Sequence, residues 1–269
     1  MTQRLFLSKL LPLGLIGILA SWVMLLQVTR LRQLNEPSTV ELTQSQLERQ
    51  QRQTQAQLIA LSQAPSFGFD NMAANWTFLQ FLQYFGDMPA RQQTGYGLSP
   101  YFFEAIIPRD PVHARPYIFL SASTSAHAAQ PNRAVALMEA GLAHMQPNLP
   151  PDAYLVWRFK GLDEFLFLRD YAAAQVSLAT AAQWVQQSDT PDRETIADSL
   201  QQTANFLAQN PTGQEAQIGA WAQVLAQAAD DATRAIAIEN IEALGGEIII
   251  SERGVASIRF RDNAEDAND

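Results

Sequence analysis

Residues 151–187, PDAYLVWRFKGLDEFLFLRDYAAAQVSLATAAQWVQQ, decide the fold of this 269-residue chain. Pro151 stands where a first helical residue belongs, because that position needs no N–H donor. The helix it opens runs to about residue 168. Leu155, Trp157, Phe159, Leu162, Phe165, Leu166 and Phe167 cover nearly its whole girth, so neighbours on several sides must bury it. Asp170-Tyr171 then starts a second helix, which runs to about residue 187. Ala174, Leu178 and Ala181 place a bulky residue between two small ones on one face, so another helix can approach closely around a single plug.

The same arrangement occurs 40 residues earlier. Helices over about 111–127 and 131–145 form the matching pair, and Ala134, Met138 and Gly141 fall on Ala174, Leu178 and Ala181. The surrounding chain reads as further helices. Asp70 starts one through Gln83, closed by Gly86. Ser99-Pro100 opens a short one, Asp110-Pro111 the next, and Pro191 another. Pro211 starts one through Ala228, and Asp231 starts the last, stopped at Gly245-Gly246. Short connections predict antiparallel helical hairpins. Residues 247–250 and 255–260 are strand-like; Ile258 and Phe260 alternate with Arg259 and Arg261, the period of a half-buried strand. The prediction is an all-α array of helical hairpins with a small C-terminal β-hairpin.

Those residues resemble the tetratricopeptide repeat, whose second helix carries the same small–bulky–small order. Asp170-Tyr171 before Ala174 resembles that family's turn into its second helix, and Gly161, four residues after Trp157, resembles its first-helix small position. The departures are a period of 40 in place of 34, Lys160 where an apolar residue is expected, and Ile118 and Ala122 in place of Trp and Gly in the first pair. The resemblance implies a concave groove faced by Arg158 and Leu162, the candidate partner-binding residues. The strings NWTFLQFLQYFGD (75–87), TGYGLSPYFFE (94–104) and YLVWRFKGLDEFLFLRD (154–170) are similar to a group of membrane-anchored cyanobacterial repeat proteins. That similarity implies an inner or thylakoid membrane and no reaction.

Residues 10–29, LLPLGLIGILASWVMLLQVT, carry no charge. About 20 apolar residues span a bilayer core as a helix. A cleaved signal peptide fits less well, because its apolar region is shorter and ends in small residues, whereas Ile18 precedes Ala20 by two. Arg4 and Lys9 before the run and Arg30 and Arg32 after it nearly balance, weakly favouring a cytoplasmic N-terminus and a periplasmic or lumenal domain. The domains expected are an anchor (1–32), a helical stalk (33–66), the repeat domain (67–246), the β-hairpin (247–261) and an acidic, disordered tail (262–269). In the stalk Val40, Leu47, Thr54 and Leu61 recur every seven residues. This is a solvated spacer or a weak dimer-forming coil.

The chemistry-bearing residues are sparse. A net charge of −9 argues against a general nucleic-acid binder, which needs a basic surface. Without cysteine there are no disulfides or thiolate metal sites. His113, His127 and His144 share no metal-ligand spacing, and no Walker loop, HExxH or GxSxG string is present. Lys160 and Glu164 are spaced to pair on a helix surface, and Asp163 reaches Arg169 only through a turn. Phe78, Phe81 and Phe85 form one helix stripe while Trp76 and Tyr84 lie elsewhere, which predicts burial on two sides or one face left for a partner or a membrane surface. No catalytic, cofactor or metal residue is assigned. The reading is a non-catalytic, membrane-anchored interaction module that serves assembly or stabilisation of a membrane protein complex. The alternatives are a permanent structural subunit, or a small-ligand binder with a cavity lined by Trp76, Tyr101 and Trp157.

Overall fold

The computed structural model describes residues 43–209, 213–228, 230–250 and 256–260. The apolar run 10–29 and the tail 262–269 lie outside them. Among the described residues no helix is long and apolar enough to cross a membrane. Among the described residues, those from 48 onward form one compact unit. The chain is mostly helical. Among the described residues there are eleven α-helices: α1 (Gln44–Gln63), α2 (Asp70–Gly86), α3 (Met88–Thr94), α4 (Ser99–Ile106), α5 (Arg115–Leu120), α6 (Pro131–Leu142), α7 (Ala153–Asp163), α8 (Tyr171–Gln186), α9 (Arg193–Gln209), α10 (Gln214–Gln227) and α11 (Asp231–Ala243). Two π-helical segments, π1 (Ser121–His127) and π2 (Glu164–Leu168), continue α5 and α7 without a break. The backbones of β1 (Gly246–Ile250) and β2 (Ala256–Phe260) pair antiparallel, with Ile248 opposite Ile258.

Several helix starts fall later than the prolines predict. The helix expected from Asp110-Pro111 begins at Arg115, with Pro116 in its first turn. Tyr117 Oη donates to the Pro111 carbonyl at 2.8 Å and folds that segment back on the helix start. Residues 151 and 152 form a turn before α7, and Asp192, at φ 56°, turns the chain before α9. The short helix α3 was not expected. Asp87 accepts from Ala90 N–H to start it, and Gly95, at φ 64°, follows its end.

The stalk is not a free spacer beyond residue 48. Leu58 is buried in the main core, and Gln51, Thr54 and Leu61 on the same side are half-buried. Arg109 donates to the carbonyls of Leu61 and Ala64, and Gln51 Nε2 donates to the Thr94 carbonyl at 2.8 Å. Thr54 and Leu61 of the heptad seam thus lie on the side of α1 that buries Leu58 in this chain's own core and bonds to Thr94 and Arg109.

The 40-residue offset holds in three dimensions. Ala134, Met138 and Gly141, and Ala174, Leu178 and Ala181, are all buried. Both first helices end in a π segment. Gln130 N–H then donates to the Thr124 carbonyl and Asp170 N–H to that of Glu164, each at 2.9 Å. Ala129 and Arg169, also 40 apart, both take positive φ at 53° and 55°. The small residues set the helix spacing. A Cβ built on Gly141 would lie 1.7 Å from Tyr117 Oη, and one on Gly161 would lie 2.9 Å from Leu178 Cγ. Alanine at an open helical site is favoured over glycine by about 0.8–1.0 kcal/mol. At residue 141 overpacking reverses that sign, and Gly141→Ala is expected to destabilise the fold by about 1–3 kcal/mol. Urea unfolding followed by circular dichroism measures this; a midpoint equal to or above that of the parent would show that Tyr117 yields.

Candidate functional site

Two features stand out: a buried polar centre where α7 runs into π2, and an exposed apolar face on α2. Lys160, expected on a surface, is buried together with Glu164, with side-chain exposures of 8% and 4%. Their ion pair is shared with Ser177 of α8. Lys160 Nζ donates to Ser177 Oγ at 3.2 Å, and Ser177 Oγ donates to the second Glu164 oxygen at 2.6 Å. Glu139 of α6 lies 3.3 Å from the same ammonium. The pair is buried because Gly161 and Ala174 let α8 lie against α7 and cover it. Removing one partner leaves an uncompensated buried charge, whereas an apolar pair of similar volume does not. Lys160→Met is therefore expected to cost about 3–5 kcal/mol, and Lys160→Met with Glu164→Leu markedly less, by thermal and urea unfolding. A double variant as unstable as the single would show that the charges do not act as a pair.

Asp163 does not reach Arg169. It is buried and accepts from Ser121 Oγ at 2.6 Å and Ser125 Oγ at 2.5 Å, so it ties π1 to α7. Burial pushes its pKa up to about 7; the two hydroxyl hydrogen bonds oppose this, and the neighbouring Glu164 charge adds to it. An unfolded Asp titrates near ~3.9. Between those values the folded chain holds the extra proton, so this group's contribution to stability is present below about pH 4 and is lost as pH rises through 7. Asp163→Asn keeps an acceptor for the serines and removes the titration. Between pH 4 and 7 its stability is expected to fall less steeply than the parent's, by up to about 1.4 kcal/mol per pH unit. Parallel pH–stability curves would exclude Asp163 as the titrating group.

His127 ends π1. Its ring stacks on Tyr96 with centroids 4.3 Å apart, and its Nε2 lies 3.2 Å from Thr233 Oγ1. Thr233 spends its own proton on Asp230 at 2.6 Å, so it accepts from Nε2–H and fixes the tautomer. Burial lowers the His127 pKa, opposed by Asp230, and raises that of Tyr96. The same Asp230 caps α11, so this chain of groups fastens π1 to the start of α11. Among the described residues no group of three or more His, Asp or Glu is placed to hold a metal ion.

The outer surface of α2 has a different character. Its inner side buries Phe78, Phe81 and Phe85, whose rings pack on one another and on Phe102, Phe103 and Phe119. Its outer side exposes Met72, Trp76 and Leu79, with Trp76 62% exposed, and Phe67 and Phe69 extend the patch past the helix start. Phe69, Met72, Trp76 and Leu79 follow one another at spacings of three, four and three, which is one helical face. An open groove of about 640 Å³ runs beside it, lined by Phe78, Leu79, Leu82, Val112, Arg115 and Phe119.

Of the residues that the repeat resemblance selects, Leu162 is only 2% exposed and lines an apolar cavity of about 30 Å³ with Ile118, Phe159 and Val224. Arg158, one turn away, is half-buried, and burial lowers its pKa, opposed by the Tyr154 charge. Tyr101 lies under the Arg133 guanidinium at 4.4 Å and Trp157 packs edge-on against Trp184. Both Tyr101 and Trp157 pack against the main core, whereas Trp76 lies on the outer face. Sequence reading singled out Trp76 but not Phe67, Phe69, Met72 or Leu79. Their spacing opposite Phe78 and Phe81 was the available signal.

No protein-family model matches the chain, and no curated protein and no solved structure matches it.

Proposed function

We propose that this chain is a membrane-anchored docking module that binds an apolar helix of a partner protein along the outer face of α2. The observation that carries this reading is the exposed stripe of Phe69, Met72, Trp76 and Leu79. Apolar surface of that kind, contiguous and beside a groove, marks an interaction site more often than a solvated face. The charge pattern selects the occupant. From residue 53 to residue 90 the sequence has no Lys or Arg, and residues 64–86 carry only Asp70. The stripe itself thus offers no cation to phosphate or anionic lipid headgroups, and Arg115 in the far wall of the groove is accompanied by Asp152; the stripe suits a helix whose apolar ridge fits between the α2 side chains.

Residues 10–29 serve as the anchor and hold the module at an inner or thylakoid membrane, with the domain on the periplasmic or lumenal side. There the effective concentration of membrane-embedded partners is high. The tetratricopeptide-like array, supported by the two hairpins 40 residues apart, supplies the rigid body, and the C-terminal strands close its other end. The function that follows is assembly or stabilisation of a membrane protein complex, with no reaction of its own.

A photo-crosslinking amino acid at residue 72 or 76, compared with residue 175 on the exposed side of α8, tests this in native membranes. The expected product is one discrete membrane protein from 72 and 76, absent from 175, and at least tenfold weaker when Leu79→Ser is added. Products containing only lipid, or yields equal to that from 175, would overturn the docking reading.

A further inference from the structure

Away from α2, a pocket of about 210 Å³ opens between the end of π2, the start of α8, α10 and the end of α11. Phe165, Tyr171 and Trp221 give it aromatic walls, and Arg169, Gln217 and Asn240 give it polar ones. Phe165 and Trp221 are buried, so the walls are held by the core. Among the described residues the side chains of Arg169, Tyr171 and Gln217 make no hydrogen bond to the protein, and Arg169 pairs with no carboxylate. Asn240 Nδ2 is committed to the Ile236 carbonyl at 2.8 Å, which leaves its oxygen as an acceptor.

The fold does not explain the identity of residue 169. Its backbone is left-handed, at φ 55° and ψ 27°, because the π2 turn closes through Asp170 N–H on the Glu164 carbonyl. The matching turn of the first hairpin makes the same closure with Ala129. The turn therefore needs the conformation and not the guanidinium, and Arg169 is exposed at the edge of the pocket that it helps to line. Asp170, the nearest acid in sequence, is turned away to accept from Ala173 N–H at 3.0 Å.

We infer that this pocket binds a small carboxylate carried on a flat apolar body. Arg169 takes the carboxylate in its planar fork. Tyr171 and Trp221 hold the flat body, and Gln217 and the Asn240 oxygen take its remaining polar group. The volume lies below the roughly 300–1,000 Å³ of drug-sized sites, so the ligand is metabolite-sized. The pocket shares no residue with the α2 stripe, and the inference stands independently of the docking reading.

Benzoate, its neutral counterpart benzamide and inorganic phosphate are the probes, titrated into the full chain in detergent. The protein is labelled with 5-fluorotryptophan, and the Trp221 resonance is assigned through Trp221→Phe. Benzoate is expected to shift that resonance saturably, with benzamide and phosphate at least tenfold weaker. Arg169→Gln is expected to weaken benzoate at least tenfold and to leave benzamide unchanged. Gln217→Ala, which alters no turn, provides a second variant and is expected to weaken benzoate severalfold. No saturable shift with benzoate, or equal affinity in Arg169→Gln, would overturn the inference. Phosphate binding as tight as benzoate would overturn the carboxylate class.

Discussion

The contact between α7 and α8 at Gly161 sets the spacing on which the rest of the molecule depends. A side chain there would meet both Leu178 and the Ala174 carbonyl, at 2.9 and 3.2 Å. Without one, the two helices close far enough to cover Lys160 and Glu164. A buried ion pair is costly to desolvate and gives little net stability. What it gives here is alignment. Lys160 and Glu164 are satisfied only when Ser177 of α8 stands between them, and Glu139 brings α6 to the same ammonium. Three α-helices and π2 are thereby held in one register around a group that tolerates no slippage. The first hairpin solves the same spacing problem without an ion pair, with the Tyr117 phenol seated over Gly141 and its hydroxyl bonded to the Pro111 carbonyl.

The π segments follow from that alignment. An i→i+5 turn inserts one residue into a helix and rotates everything beyond it. In π2 the rotation begins at Glu164, just past Asp163, and both carboxyl groups end up inside, one toward α8 and the other toward π1. Ser121 and Ser125 of π1 face Asp163 from the first hairpin, so π1 is bonded to the end of α7, immediately before π2. Each π segment then ends in a left-handed residue and a 2.9 Å closure that sends the chain into its second helix. The irregularity is thus part of the repeat, and it places Arg169 at the pocket beside α10.

The helical character of the chain was legible in the sequence because it rests on short-range signals: small–bulky–small spacing, Asp170 at a helix start and proline punctuation. The failures are equally physical. Prolines mark a helix start only to within a few residues, since a turn can hold them as well as a first helical position, as at Pro111, Pro151 and Pro191. A π turn leaves no pattern, because it depends on what the neighbouring helix offers. For that reason Lys160 and Glu164 read as a surface pair: their spacing of four is the same on either side of a helix, and only the approach of α8 buries them. Leu58 shows the converse, since its heptad setting is equally suited to a second chain and to the chain's own core. For the site, Trp76 was legible and its companions were not, because an apolar residue on a helix that is aromatic on both sides carries no mark of which side faces solvent.

In stacked helical arrays each element buries the face of the one before it, and the terminal elements need a polar outer surface to remain in water. The first element here departs from that rule. Leu58 of α1 joins the main core, but Met72, Trp76 and Leu79 of α2 stay outward with Phe67 and Phe69 beside them. A helix with an aromatic inner face already has all the apolar surface its core requires. The outer stripe therefore adds nothing to this chain's own stability and exposes it to aggregation. The docking we propose would cover this stripe with a helix from another protein, much as each hairpin is covered by its neighbour within the chain.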